Sequence, residues 1–592
     1  MKQFFKFFAA SLLALVVAGI LFFIISFGMI GAAVSSIGKE EPVSIKDNST
    51  LLLDLSQPIS DLGQENALAI INGQPSVSFG LYDILKSFRE AKNDNRIKGI
   101  YIKTGGGSIG WATMQQLRAG LQDFKQSGKF VYAYGDFISQ RDYYITSVAD
   151  SVFINPMGHI ELKGLASQIT FYKGTMDMLG VEPEIFYCGQ FKSATEPFRM
   201  QKMSDPNRKQ LAALQRGFWD ELLTAVSEHT QADTATIYGW VKAGVIQNAG
   251  DAIRYKLADG LFYKDEIEDL LKRQSGLKES DKLRLTAMDE YIRTLPEKPG
   301  VDQLAVLVAE GEIVDGYGDK SGTQVASDAI IKDIRKVRDN DKIKAVVLRI
   351  NSPGGSALAS ENILRELLLL KKKKPLVVSM GDLAASGGYY IACKADSIFA
   401  MPNTITGSIG VFGMMFNTQK LFNNKLGITF DTEKNAPYAD FPDMNRPMND
   451  MEKKFMQSSV DSIYVTFKQH VAEGRKLDIT YVDSIGQGRV WTGKAALDNK
   501  LVDAFGNLDR ALQSAAAIAK VSNYKVVTYP VVKDKFQQIM ELLNNKGDKE
   551  TLAQSITESR ISQDFKWYNT LKTLLNNKNR TWMMMPFIPE VQ

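Results

Sequence analysis

VVSMGDLAASGGYYIA, residues 377–392, reads as a buried strand that breaks into a turn of small residues and re-enters a helix. The β-branched and apolar run Leu376, Val377, Val378 supplies the strand, and Gly381 with Asp382 is expected to end it. Residues 384–388 keep side-chain bulk away from one hydroxyl, that of Ser386. A serine there stands near a helix N-terminus, where unpaired backbone N–H groups favour developing negative charge. The same small residues also suit a tight turn or close helix packing with no chemistry attached, and the G-x-S-x-G pattern is absent.

Working outward, the stretch belongs to a pattern that occurs twice. KKPLVVSMGDLAASGGYYIACKADSIFAMP (373–402) corresponds to GKFVYAYGDFISQRDYYITSVADSVFINP (128–156), and DNDKIKAVVLRINSPGG (339–355) to NDNRIKGIYIKTGGG (93–107). LAVLVAEGEI answers LLLDLSQPI, and ALDNKLVDAFG answers AIRYKLADGLF. The register is nearly fixed: Asp136 and Asp382, like Asp150 and Asp396, lie 246 residues apart, and Leu257 and Leu501 lie 244 apart. A period this long signals two copies of one domain rather than a solenoid. Within each copy, strand-like runs alternate with helical ones over short connections, which predicts α/β crossovers.

The copies differ where chemistry would sit. At the 246 offset Ser386 faces Gln140, so the first copy lacks the serine. LGVEPEIFYCGQFKSATEPF (179–198) pairs with LGITFDTEKNAPYADFPDM (426–444), which sets Lys192 opposite about Ala439. Each copy keeps what the other lacks. A serine hydroxyl needs a base as it attacks, and a lysine serves if burial lowers its pKa from about 10.4 toward 7–8. Phe186, Tyr187, Phe191 and Phe198 around Lys192, and Tyr389 and Tyr390 after Ser386, suit such burial. TGSIGV offers Ser408 as a partner to orient the amine, or simply a serine in a glycine turn. NSPGGS offers Gly354 and Gly355 as backbone donors to an oxyanion, or an ordinary strand-to-helix turn.

Composition sets the limits. The 592 residues are 44% hydrophobic and 23% charged with a net charge of only +4, so the chain buries sizeable cores and carries no global field for nucleic acid. The basic run 371–374 reads as the solvated end of a helix, with contact to anionic lipid as the sharper reading. Two cysteines, Cys188 and Cys393, are too few for a zinc site, though one bridge stays open. His159, His229 and His470 lie in no catalytic or metal-ligand motif, so a histidine triad or histidine metal site is not expected. Lys2 and Lys6 precede an apolar run over residues 7–37, longer than the roughly 20 residues needed to span a bilayer. An uncleaved anchor with a cytoplasmic N-terminus is expected.

RINSPGG, GDLAASGGYYIA, ADSIF and TGSIGV in the second copy, with GQFKSATEPF in the first, closely resemble the signal peptide peptidase A family in its long, duplicated form. The resemblance implies an α/β fold of two tandem Clp-protease/crotonase-like domains preceded by one transmembrane helix. It also implies a Ser-Lys serine endopeptidase of the bacterial inner membrane, its body periplasmic, assembled as a homotetramer. By it Ser386 is the nucleophile, Lys192 the general base, Ser408 the residue that orients the lysine, and Gly354 and Gly355 the oxyanion turn. Signal peptides and other apolar peptides are the implied substrates, and no cofactor or metal is implied. The expected organisation is an anchor and spacer over 1–46, a lysine-bearing repeat over 47–300, a serine-bearing repeat over 301–530 and a helical tail over 531–592. Two rivals keep part of this picture: a crotonase-like acyl-thioester enzyme, and a catalytically silent membrane scaffold.

Overall fold

A computed structural model describes residues 6, 44–65, 77–107, 109–295, 300–318, 324–531 and 582–584. The apolar run 7–37 lies outside them, and so does most of the expected helical tail. Among the described residues no helix is long and apolar enough to cross a membrane. Nearly all of them fall in one compact body built from Lys46–Gln64, Ser78–Val532 and Ile561–Gln592. The other unit, Met1–Ile45, Glu65–Val77 and Lys533–Arg560, lies largely outside them.

Each copy makes its own sheet, parallel throughout except for the antiparallel edge strand Val490–Thr492 of the second. In the first, the strands run in the order Leu285–Ala287, Ser49–Asp54, Ile97–Lys103, Phe130–Ile138, Ser151–Ile160, Gly260–Leu261, every neighbouring pair parallel. Parallel strands are covered on both faces, which is why these runs carry near-continuous apolar sequence. The connecting helix Leu81–Ala91 buries Leu81, Ile84, Leu85 and Phe88, one stripe at helical spacing. The second sheet repeats the plan with Ile405–Gly407, Leu376–Ala385, Ile343–Ser352, Asp302–Glu310 and Tyr524–Tyr529 as consecutive strands.

The duplication extends to single hydrogen bonds. Tyr143 Oη donates to the Leu257 carbonyl and Tyr389 Oη to that of Leu501, both at 2.9 Å. Val152 N–H donates to Asp259 and Ile398 N–H to Asp503, both at 2.7 Å. These bonds close the same loops at the offsets seen in the sequence.

A third sheet breaks the separation of the copies. Its order is Gln324–Ala326, Glu312–Val314, Gly354–Ser356, Trp582–Met584, Phe412–Asn417, Glu182–Tyr187. Glu182–Tyr187 comes from the first copy and pairs antiparallel with Phe412–Asn417 of the second. Side-chain contacts also bind the copies, two of them close to the opening stretch. Buried Arg349 donates through Nε to Asp61 Oδ1 at 2.8 Å, and Asp382 accepts from Thr113 N–H at 2.9 Å and Thr113 Oγ1 at 2.6 Å. Asp382 thereby caps the helix Trp111–Lys125, whose own N-cap is Gly110 and supplies no side chain. A Cβ on Gly110 would lie 2.1 Å from the Asp382 carboxyl carbon.

Several expectations need correction. The strand at the opening stretch does not end at Gly381 but runs to Ala385, because Leu383–Ala385 pair with Ile405–Gly407. The lysine run does end a helix with Lys372 and Lys373 exposed, as read, but buried Lys374 departs from it by donating to the Val337 carbonyl at 2.7 Å. Within the expected helical tail, the described residues Trp582–Met584 form a strand.

Asp382→Ala removes a cap and leaves a helix N–H unpaired, so unfolding free energy should fall by about 1–2 kcal/mol. A shift of the urea midpoint at unchanged slope reads this loss.

Candidate active site

Ser386 occupies the single position between the strand Leu376–Ala385 and the helix Gly387–Ala392. Its backbone stands at φ 55°, ψ −114°, a conformation that residues with a Cβ seldom adopt. Hydrogen bonds on both sides hold it there: Ser386 N–H donates to the Gly407 carbonyl at 2.8 Å, and Tyr390 N–H to the Ser386 carbonyl at 2.8 Å. The small residues around it do serve packing as well. A Cβ on Gly388 would lie 2.8 Å from the Ser352 carbonyl oxygen, so the helix could not approach the neighbouring strand with anything larger.

Lys192 arrives from the first copy, five residues beyond the strand that joins the third sheet. Its loop lies against the second copy: Phe191 N–H donates to the Gln487 carbonyl at 3.0 Å. Gly488, at φ 78°, permits that contact, since a Cβ there would come 2.6 Å from the lysine's own. The side chain is 1% exposed, and Nζ lies 3.0 Å from Ser386 Oγ and 3.0 Å from Ser408 Oγ. Burial pushes the amine well below the usual 10.5 of a lysine, because the charged form loses its hydration. Ser408 donates its hydroxyl proton to the Gly488 carbonyl at 3.3 Å, which turns its lone pairs toward the amine. A neutral Nζ held by Ser408 can aim its own lone pair at the Ser386 proton.

The glycine turn stands beside this pair. Gly354–Ser356 forms a short strand on which the helix Gly387–Ala392 packs. Gly354 has φ 99° and Gly355 φ 156°, and a Cβ on Gly355 would meet the Ile313 carbonyl at 2.0 Å. Only glycine fits, and the turn can present backbone donors to a peptide laid along it. Gly354 N–H itself faces Ser352 Oγ at 3.2 Å.

At the equivalent place in the first copy, Gln140 does structural work. Its Nε2 donates to the Gly164 carbonyl and its Oε1 accepts from Lys163 and Gly164 N–H, each at 2.9 Å. At equivalent positions, the second copy thus holds a serine that receives the first copy's buried amine, and the first copy holds a loop clamp.

Residues 123–278 and 369–522 match the family model Peptidase family S49, and residues 301–406 match Clp protease. The chain is 36% identical to Protease 4 of Salmonella typhi, over 76% of its own length and 74% of that protein. It is 31% identical to the chloroplastic serine protease SPPA of Arabidopsis thaliana, over 85% of this chain and 74% of that protein. It is 34% identical to a putative signal peptide peptidase SppA of Enterococcus faecium, over 40% of this chain and 69% of that protein. This chain belongs to peptidase family S49. It is a serine protease that hydrolyses peptide bonds, with an α/β Clp-protease-like fold and one S49 match in each copy.

For an S49 peptidase, the three histidines lie where the motif reading left them. His470 pairs with Glu361 at 3.1 Å, His229 faces the Ser147 carbonyl at 3.2 Å, and His159 stacks near Phe137. Cys188 and Cys393 are both free thiols, so the open bridge is not formed. Sequence reasoning missed the groups that seat the lysine loop. Gly488 is one. Buried Gln210 is another: its Nε2 donates to the Phe191 carbonyl at 3.2 Å, and its Oε1 accepts from Val490 N–H at 3.3 Å. The paired glycines of IGQGRV, 485–490, were the available signal for Gly488, whereas Gln210 sits in an unremarkable helix.

The depressed amine predicts a pH dependence of stability. An unfolded lysine keeps its proton up to about pH 10.4, and folded Lys192 has released it well below that. Between the two values the unfolded chain binds more protons, so stability rises with pH across that window. Unfolding free energies of the natural chain should climb relative to those of Lys192→Met over this range; parallel curves would leave the amine unperturbed.

Proposed function

We propose that this S49 peptidase uses Ser386 as nucleophile, Lys192 as general base, Ser408 to orient the amine, and the Gly354–Gly355 turn to bind the oxyanion. The observation that carries this reading is the position of a buried Nζ 3.0 Å from both hydroxyls. The Ser386 proton passes to Nζ as Oγ bonds to the scissile carbonyl carbon, and the carbonyl oxygen takes the electron pair. When the C–N bond breaks, the ammonium returns that proton to the leaving amine. Water then attacks the acyl ester, giving its proton to Nζ; collapse expels Ser386 Oγ, which recovers the proton.

Chemistry and kinship together support one substrate class. The third sheet takes an extended strand between Gly354–Ser356 and Phe412–Asn417, which supports recognition of unfolded peptides by backbone pairing. The apolar run 7–37 supports anchoring beside a bilayer, with the N-terminus cytoplasmic and the body periplasmic in a bacterial inner membrane. Signal peptides and other apolar peptides released there are the proposed substrates, in keeping with the name of the Enterococcus faecium relative. A homotetramer would cover exposed apolar side chains such as Met178, Leu426 and Phe430. Boundaries at 47–300 and 301–530 are proposed for the two repeats. Kinship to proteases argues against the acyl-thioester and scaffold alternatives.

A fluorophosphonate probe should label the natural chain and fail on Ser386→Ala. Lys192→Met and Lys192→Arg should fold yet lose about 10²–10⁴-fold in kcat/KM, since neither side chain takes a proton near neutrality. Ser408→Ala should lose roughly tenfold, the equivalent of one orienting hydrogen bond. Near-normal turnover in Lys192→Arg contradicts the mechanism.

A further inference from the structure

Arg489 follows Gly488 directly and is held by rings rather than by an acid. Its guanidinium carbon lies 3.9 Å from the ring centre of Trp491 and 5.0 Å from that of Phe191. Its Nε is buried without a hydrogen-bond partner, and no ion pair reaches the guanidinium among the described residues. The two rings come from different repeats. Phe191 precedes Lys192, and its backbone is seated by Gln487 and Gln210. Trp491 is fixed through Nε1, which donates to the Ile485 carbonyl at 2.9 Å. Its indole lies on Gly407, where an added Cβ would come 2.8 Å from Trp491 Cδ1. Gly407 is the residue whose carbonyl takes the Ser386 N–H, and the Arg489 carbonyl itself accepts Ser408 N–H at 2.7 Å. A line of contacts thus runs from the lysine loop, through the guanidinium, to the backbone that holds Ser386 and Ser408.

We infer that Arg489 is a positioning residue, whose cation draws the Phe191 ring and the Trp491 indole together and so holds the Lys192 loop against the Ser386 turn. This rests on the reading of Lys192 as the base and Ser386 as the nucleophile. A guanidinium stacks on aromatic faces, and the attraction grows where water is excluded. Burial works against the arginine's own charge, and the two ring faces offset that cost. Rings also have an advantage over a carboxylate at this place. Lys192 owes its lowered pKa to burial, and a negative charge brought in beside it would favour the ammonium again. An aromatic clamp grips the arginine and adds no charge.

The test compares, in the full chain, Arg489→Met, which keeps the stem and loses the cation, with Arg489→Lys, which keeps the cation and loses the plane. In Arg489→Met, kcat for a short apolar fluorogenic peptide should fall roughly tenfold with KM unchanged, and fluorophosphonate labelling of Ser386 should slow by a similar factor. Water admitted to a loosened loop favours the charged amine, so the acid limb of kcat/KM should move to higher pH. Arg489→Lys should recover most of the rate and return the limb. Phe191→Leu removes one ring and should slow the enzyme in the same way; it carries the same readouts should Arg489→Met fail to fold. The double variant should be no slower than the slower single one, because both changes break one contact. Equal losses in the Met and Lys variants, an unmoved acid limb, or losses that multiply in the double variant each describe a merely packed side chain and overturn the inference. A rate that survives Lys192→Met overturns the base assignment and takes the inference with it, whereas a lysine-dependent rate with an unmoved limb in Arg489→Met overturns the inference alone.

Discussion

The register between Glu182–Tyr187 and Phe412–Asn417 is the constraint on which the site depends. Six residue pairs, from Tyr187 opposite Phe412 to Glu182 opposite Asn417, bind a strand of one repeat into a sheet of the other. Five residues later the chain delivers Lys192 to a pocket that the second repeat has lined with Ser386, Ser408 and Gly488. A slip of one residue would turn the strand's side chains to the opposite face and draw the lysine loop along by more than 3 Å. The fit at Gly488, where no Cβ is tolerated, fixes the loop from its other side. The amine is therefore positioned by backbone geometry at both ends, and its burial is a product of that docking.

Burial then sets the chemistry proposed for Lys192. Lysine is ordinarily a solvated residue. Here 1% exposure makes the ammonium the unfavourable form, and two hydroxyls lie 3.0 Å from the amine. The strained backbone of Ser386 is tolerable for a related reason. Its N–H and carbonyl are both used by neighbours, so the cost of an unusual φ is set against two well-made bonds. The proposed mechanism uses no histidine; His159, His229 and His470 have other contacts.

Much of this was legible in the residues because duplication supplies its own control. Two copies with fixed offsets expose any residue type present in only one, which singled out Ser386 and Lys192 without knowledge of any contact. Local signals also served: apolar runs gave the parallel strands, and the glycines of NSPGG gave a turn whose φ values do exclude side chains. Where reading failed, the deciding partner was distant. Gly381 and Asp382 look like a strand end, yet pairing with Ile405–Gly407 carries the strand onward. Asp382 is the cap of a helix some 270 residues earlier in the chain, a relation no local pattern encodes. Of the lysines at 371–374, Lys372 and Lys373 are exposed at a helix end as the run suggests, whereas Lys374 is buried against the Val337 carbonyl, a partner no local pattern announces.

Because the lysine comes from the earlier repeat and the hydroxyls beside it from the later one, the proposed mechanism leaves a partly made chain without its site. Residues through Gly488 must leave the ribosome and fold before the amine has a pocket to lose its proton in. On that mechanism, chain order alone holds back peptidase chemistry until the second repeat has folded.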